Sequence, residues 1–378
     1  MITPDYFYAI VGGGLAGLQL AYSISNDVFF KGKKIVIIDP SDKSKNDKTW
    51  CFWENGKGNW DHLIHKSWSK AEFISSGAKE TLNLEPYSYK MLRSLDFYRF
   101  IREKLEKSEH VTFAKDEIEK IDQVTRTAIG KKRNYTATHF FDSRPPEHYL
   151  KDTKSTKIFQ HFKGWKIKTK NEKFDDRNFT MMDYRIKYQN STSFTYVLPV
   201  SKNEALVEFT FFTPFTVEDD EYDKYLQRYI SDILKIEDYK VIESEKGLIP
   251  MTDYSFHKQN TEYITKIGTA GGWVKASSGY SFKNTEKKID LLIDNIKSGL
   301  VPSHKLQNKK FRKYDAIFLD VLEKRNDLGE EVFTKLYTKN TIQDIFRFLD
   351  EETKISEELK IMKSLFHPQF LKSFFKKI

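Results

Sequence analysis

Cysteine is almost absent: Cys51 is the only one in 378 residues. No disulfide can form within one chain and no cysteine-based metal centre can be built, a usage that suits the cytoplasm. Long hydrophobic runs are missing too. Nowhere do 18 apolar residues follow one another, so no segment is expected to span a bilayer. The N-terminus lacks the basic region, apolar stretch and small-residue cleavage site of a secretory signal; Tyr6 to Val11 runs straight into a glycine turn. The nine histidines show no H-x-x-x-H spacing, and no metal is expected. There is no arginine-rich block, no internal repeat and no low-complexity tract. The net charge of +9 is therefore spread over scattered lysines and arginines. That fits a solubilised surface better than a nucleic-acid platform, with an anionic membrane or an anionic cofactor as the competing explanation.

Aromatic residues, by contrast, are abundant: 30 Phe, 20 Tyr and 6 Trp. They imply either aromatic-lined space for a large apolar ligand or a Phe-rich core. The length calls for two domains with a helical appendage. Residues 7–39 read as strand, glycine turn, helix, strand. Residues 40–60 are polar and turn-rich, then rich in Trp. Met91 to Lys107 carries a helical period. Val111–Phe113 and His139–Phe141 read as short strands, the second ended by Pro145 and Pro146. Trp165–Thr169, Phe194–Leu198 and Ala205–Phe212 read as antiparallel strands, Ile264–Ile267 as one more, and everything after Thr285 as helix. The expected organisation is a dinucleotide-binding domain from 1–150 plus 260–300, an antiparallel-sheet substrate domain over 151–259 and a helical region over 301–378. This is an α/β, Rossmann-like FAD/NAD(P)-binding fold of the flavoprotein hydroxylase type with an α+β insert, an inference from fold analogy.

Gly12-Gly13-Gly14-Leu15-Ala16-Gly17 fits G-x-G-x-x-G directly after the strand ending at Val11. Gly12 permits the tight turn, Gly14 lets backbone approach a pyrophosphate, and Gly17 lets the helix pack close to the strand. Ala16 lies inside the same turn, where the helix N-terminus offers free N–H groups to phosphate. The next strand, Lys34 to Ile38, ends in Asp39, at the spacing of a ribose-binding acid. A second glycine motif, Gly268-Thr269-Ala270-Gly271-Gly272 with Gly279, returns some 250 residues later and favours FAD over NAD. Hydroxylase-like flavoproteins carry a Gly-Asp pair there. Thr269 stands in place of that acid, which argues against an ordinary hydroxylase; its hydroxyl can still bond a ribityl chain.

Several segments resemble the lycopene cyclase family of carotenoid biosynthesis. Asp47-Lys48-Thr49-Trp50-Cys51-Phe52-Trp53 is similar to its D-x-T-W-x-F segment, and Met182-Asp183-Tyr184-Arg185 to its M-D-[WF]-R segment. Phe194 to Pro199 followed by Leu206-Val207-Glu208-Phe209-Thr210 resembles its Y-x-[LM]-P … L-x-E-x-T pair. Gly247 to Met251 and Gly268 to Tyr280 resemble its remaining blocks, in order over residues 6–285. Ala276 stands where a proline is expected. Phe209 stands where plant members carry a second Glu, so a two-carboxylate mechanism cannot be copied from them. The resemblance implies reduced FAD with NADPH or NADH as reductant, and an isomerisation: the acyclic ψ end of lycopene, or of a related acyclic carotenoid, is protonated and closes to a β ring. It also implies a protein at the inner face of the cell membrane, where a C40 polyene is reached. A monooxygenase or isoprenoid reductase of the same fold is the alternative enzyme; a non-catalytic carotenoid- or flavin-binding protein is the alternative outside catalysis.

Glu208 is the expected catalytic acid. On a strand it shares one face with Leu206, Thr210 and Phe212, while Val207, Phe209 and Phe211 take the other. Both faces are apolar, so the carboxyl is desolvated unless paired, and desolvation raises a carboxyl pKa toward that of a useful acid. An ion pair with a local Arg or Lys is the plainer reading. Asp183 and Arg185, two apart, either orient Glu208 or a cofactor group, or form a structural ion pair. Asp142 either approaches the cofactor or caps its turn. Arg93 is either a cofactor-side cation or a solvated helix charge. Trp50, Trp53, Tyr196 and Tyr280 are expected substrate-lining residues, against core packing as the plainer role of any aromatic. Cys51 reads as a small buried side chain. The tail places Phe370, Leu371, Phe374, Phe375 and Ile378 at helical spacing between Lys372, Lys376 and Lys377. That pattern suits either an anionic membrane surface or a packed terminal helix.

Overall fold

The structure, a computed structural model, describes residues 4–377. Among these residues the strands form three sheets. The first is parallel at its centre, in the spatial order Val111–Ala114, Ile35–Ile38, Tyr6–Val11, Asn134–Asp142, Ile264–Lys266. Ile35–Ile38 is buried at every position, as a parallel strand covered on both faces must be. Helix Leu15–Asn26 and the returning helix Phe282–Lys297 cover one face, burying Leu18, Leu20, Ile289 and Leu292 with Ile10 and Ile37. The hairpin Ile118–Asp122/Thr127–Gly130 extends the first half of Asn134–Asp142. Val11, Ile38, Asp142 and Lys266 thus end at one edge, the carboxyl edge at which open α/β sheets bind ligands.

The second sheet has seven strands: Tyr239–Thr252, Lys157–Thr169, Glu204–Thr213, Ser193–Pro199, Asn178–Asp183, Lys70–Ile74 and Lys79–Asn83. All neighbours are antiparallel except Asn178–Asp183 with Lys70–Ile74. The sheet expected within 151–259 is therefore completed by a hairpin from the first 150 residues. That hairpin pairs the otherwise open edge of Asn178–Asp183 and buries Ala71 and Phe73. Alternation along each strand separates the two faces. Leu206, Phe212, Phe194 and Leu198 pack toward the C-terminal helices. Val207, Phe209, Phe211 and Val197 pack toward helix Asp219–Asp232 through Tyr222, Leu226 and Tyr229.

A small third sheet, Thr49–Asn55, Tyr87–Arg93 and Ile64–Trp68, joins the two halves. Its first strand points Trp50 and Phe52 into the nucleotide-side core and Cys51 and Trp53 into the other. The helix expected from Met91 begins instead at Ser94. Met91 and Leu92 pair with Cys51 and Trp50 as strand, and that pairing overrides the helical spacing of the side chains. The C-terminal region folds as Lys309–Lys324, Gly329–Lys339, Ile342–Leu349, Ile355–Ser364 and Pro368–Lys377. Among the described residues no helix is long and apolar enough to cross a membrane. Ile378 lies outside the described residues.

Candidate functional site

Two glycine turns meet at the carboxyl edge of the parallel sheet. Gly12 has φ of +109°, and a Cβ there would fall 1.9 Å from Ser143 Oγ; a Cβ on Gly17 would fall 2.0 Å from the Gly12 carbonyl oxygen. Neither position tolerates a side chain. Gly14 starts the helix with no side-chain cap, and the space above it is open. The first helical N–H groups are left to an outside acceptor, the arrangement a pyrophosphate fills. Gly268, at φ +59°, brings the second turn against Ala16: a Cβ on it would sit 3.2 Å from the Ala16 Cβ. A groove of about 350 Å³ runs between the turns, bordered by Gly14, Gly17, Trp50, Thr269 and Glu245. It is followed by a second hollow of about 400 Å³ past Gly13, Asp39, Tyr98 and Arg102. Asp39 accepts hydrogen bonds from the Gly13 and Ser41 N–H groups, both at 2.7 Å. Open glycine backbone, an uncapped helix start and an acid at the next strand end together suit a dinucleotide such as FAD. Gly271 and Gly272 shape the second turn from behind. A Cβ on Gly271 would strike the Lys266 carbonyl oxygen at 2.4 Å, and Gly272 has φ of +69°.

The other end of the molecule holds a cavity of about 480 Å³ between the second sheet and the C-terminal helices. Its inner wall carries Tyr196, Tyr280, Phe212 and Tyr337. Its outer end reaches Leu359, Phe366, Leu371 and Phe374, all of them exposed.

A single row of residues connects groove and cavity. Strand register sets Tyr196 opposite Glu208, Glu208 opposite Gly164, and Gly164 opposite Glu245. Residues opposite one another point the same way, so the four share one face over about 15 Å. Tyr196 borders the cavity and Glu245 borders the groove. Glu208 lies between the two, half-buried by surface area yet surrounded closely enough by protein to be desolvated. Burial pushes its carboxyl up to about 8, Glu245 adds to the rise, and the Thr210 hydroxyl, donating at 2.7 Å, lowers it. Glu245 is pushed up to about 7 by burial, while the Thr49 hydroxyl donates to it at 2.7 Å. Tyr89 and Tyr280 share a hydrogen bond at 3.0 Å beside this row, and burial pushes the Tyr280 phenol up to about 12, so it remains a donor.

Several expected residues stand elsewhere. Asp183 is completely buried on the opposite face, opposite Thr195; it is held by Arg185 at 2.5 Å and by the Tyr229 hydroxyl at 2.6 Å. The odd spacing of a β-bulge before it turns it away from Glu208. Asp183 and Arg185 therefore make the structural ion pair and do not orient Glu208. Asp142 faces Arg144 at 2.9 Å and Lys266 at 2.8 Å. Burial opposes its ionisation, but these two cations outweigh burial and hold it below the usual carboxylate range. Both of its oxygens are thus engaged away from the groove. Arg93 pairs with Glu243 at 3.2 Å beside Glu245, not with the groove. Trp50 packs edge-on against Phe97 and Tyr98 and borders the groove, not the cavity. Trp53 stacks on Phe346 at 4.4 Å, donates its N–H to Asp350 at 2.9 Å, and supports Tyr280 from behind.

The model of the family described as lycopene cyclase protein matches residues 8–374. The chain belongs to this family. No curated protein matches it. Among solved structures it is similar in fold to a geranylgeranyl bacteriochlorophyll reductase-like protein from Thermoplasma acidophilum, at 14% identity and TM-score 0.63 over 99% of both chains. It is likewise similar to the flavin-dependent brominase Bmp2, at 13% identity and TM-score 0.65 over 99% of this chain and 100% of that one. The tetracycline destructase Tet(51) matches at 12% identity and TM-score 0.55 over 99% of both. For this lycopene cyclase family member, sequence reasoning missed Glu245, Gly164 and Thr49 as site residues. Glu245 alternates with Glu243 just ahead of Gly247-Leu248-Ile249-Pro250, a period-2 signal that marks the strand Tyr239–Thr252.

Proposed function

We propose that the protein is a flavin-dependent lycopene cyclase that closes the ψ ends of lycopene, or of a related acyclic carotenoid, to β rings by acid–base chemistry, with Glu208 as the acid. The observation that carries this reading is the position of Glu208: a desolvated carboxyl in a row running from an apolar, tyrosine-lined cavity to a dinucleotide-shaped groove. With a pKa pushed up to about 8, Glu208 keeps its proton at neutral pH. That proton passes to the terminal carbon–carbon double bond, making a C–H bond and a tertiary cation. The adjacent double bond supplies the electron pair that closes the ring. A proton then leaves the ring carbon and restores the carboxyl, so protons and electrons balance. Tyr196 and Tyr280 present ring faces to cationic carbon and exclude water from it. Gly12, Gly14, Gly17, Asp39, Gly268 and Thr269 would hold FAD. Reduced FAD, maintained by NADPH or NADH, supplies an electron-rich partner to cationic chemistry without net electron transfer to product.

The exposed apolar rim of the cavity supports docking at the inner face of the cell membrane, where such a polyene dissolves. Expression in a lycopene-producing bacterium with pigment chromatography tests the activity. Loss of lycopene and gain of a cyclic product is expected. Unchanged lycopene with soluble, flavin-loaded protein overturns the reading. Hydroxylated or hydrogenated product with stoichiometric NAD(P)H use points instead to a monooxygenase or a reductase.

A further inference from the structure

Glu245 lies outside the expected site, yet it is the other carboxylate in the row. An added Cβ on Gly164 would be 3.5 Å from the Glu208 Cβ and 3.3 Å from the Glu245 Cγ. Both acidic stems therefore approach one point, beside a Leu206 methyl at 3.0 Å, and Gly164 itself sets only hydrogen there. Any larger residue would put a methyl group between them. Two carboxyls in so confined a space cannot both ionise at low cost.

Their surroundings are unequal. Glu208 is faced by Tyr196, Tyr280, Cys51 and Thr210, none of which carries charge at neutral pH. Glu245 is faced by Thr49, Cys51, Lys48, Arg93 and Glu243; two of these are cations, and Arg93 is itself paired with Glu243. The single negative charge of the pair is accordingly better placed on Glu245 and the proton on Glu208. Glu245 also borders a small cleft of about 30 Å³ that it shares with Asn46, His65, Arg93, Lys166 and Glu243, most of them part-exposed. Met91, Val200 and Leu206 make up the apolar part of its wall, and its volume admits a water molecule against the polar groups of Arg93, Glu243 and Glu245. None of its lining residues borders the apolar cavity, so a proton path through it bypasses the polyene.

We propose that Glu245 is a positioning residue for Glu208: the two share one proton across Gly164, Glu245 carries the charge that keeps Glu208 protonated, and exchange with solvent passes through the cleft at Arg93 and Glu243. The inference deepens the cyclase reading and rests on it for its catalytic meaning; the proton sharing itself does not require turnover.

Two measurements separate them. The first follows the protonated-carboxyl infrared band of the purified full-length chain against pH, in wild type, Glu208→Gln and Glu245→Gln. Wild type should lose the band in two steps. Glu245→Gln should lose it in one step, at lower pH than the upper wild-type step, because the neighbouring charge has gone. A Glu208 midpoint that is the same in wild type and Glu245→Gln overturns the proposal, whatever reaction the protein catalyses. The second is the pH profile of cyclisation. Glu245→Gln should retain kcat on the acid side and move the alkaline limb down by about one pH unit, with little change in KM. A uniform fall in kcat with an unmoved limb marks a merely structural role and also overturns it. Gly164→Ala is the second variant should Glu245→Gln fold poorly. With the carboxyls kept and a methyl between them, the two infrared steps should draw together; steps as far apart as in wild type contradict the shared proton.

Discussion

Glu208, the proposed acid, is placed where its ionisation weakens the fold. In the folded chain its carboxyl keeps a proton up to about pH 8, whereas the unperturbed value is 4.5. Between those limits the unfolded chain holds fewer protons, so stability falls as pH rises through the window and is unaffected below it. Glu208→Gln removes the ionisable group while keeping the shape. Its melting temperature should exceed that of wild type by about 2 °C or more at pH 8 and match it near pH 4. Cyclisation should fall by at least about 100-fold at every pH, with flavin absorbance retained. Calorimetry and product assay on one preparation check both halves. A variant no more stable than wild type at pH 8 would mean that the carboxyl is not desolvated. The residue was legible in the sequence because a lone acid interrupts an apolar strand on the face shared by Leu206 and Phe212. Asp183 was equally visible, but its face was not: the bulge that turns it toward Tyr229 leaves no mark in the pattern of residue types.

Elements carry the fold through close approach and pairing, and here legibility divides by polarity. The βαβ turn could be read because glycine is required where backbones touch. Gly17→Ala would set a methyl 2.0 Å from the Gly12 carbonyl oxygen. It should cost about 2 kcal/mol or more of stability and empty the purified protein of flavin, as read by denaturant unfolding and absorbance. The strand Tyr239–Thr252 is harder to read, because much of it is exposed and its period-2 signal is carried by the acidic pair Glu243 and Glu245 rather than by an apolar face. The terminal helix Pro368–Lys377 packs as a terminal helix and leaves an apolar edge exposed. Ser373 and Lys376 bond the buried Asp320 at 2.8 and 2.7 Å, and Lys377 pairs with Asp253 at 2.7 Å. Two of the three tail lysines thus anchor the helix rather than face a membrane. Phe375, 80% exposed, Phe374 and Leu371 remain turned outward. The triple variant Leu371→Ser/Phe374→Ser/Phe375→Ser should keep the wild-type melting temperature within about 2 °C and lose most partitioning to anionic lipid vesicles in a flotation assay. Deleting residues 369–378 should instead destabilise the chain, since it strips Asp320 of two partners. Unchanged partitioning of the triple variant would remove the tail from the membrane-docking surface.

At the scale of the whole molecule, the chain does not fill one unit and then the next. It leaves the parallel sheet after Ile38, contributes Lys70–Ile74 and Lys79–Asn83 to the second sheet, returns for Val111–Ala114 and Asn134–Asp142, and crosses again to build Lys157–Thr169. The strand Thr49–Asn55 contributes side chains to both main cores. The groove itself is walled by the first glycine turn, by Glu245 of the second sheet and by the returning Thr269. Neither sheet can lose its packing without stripping a wall or an edge strand from the other. Cooperative unfolding across the two sheets follows, although the residue count would have allowed separate domains. Calorimetry should therefore record a single transition, and FAD at about 100 times its dissociation constant should raise the stability of the whole chain by about 2.7 kcal/mol. Two resolved transitions, only one of them moved by FAD, would mean that the second sheet folds on its own. The row from Tyr196 to Glu245 would then be a contact within one domain rather than the seam that ties an apolar cavity to a nucleotide groove.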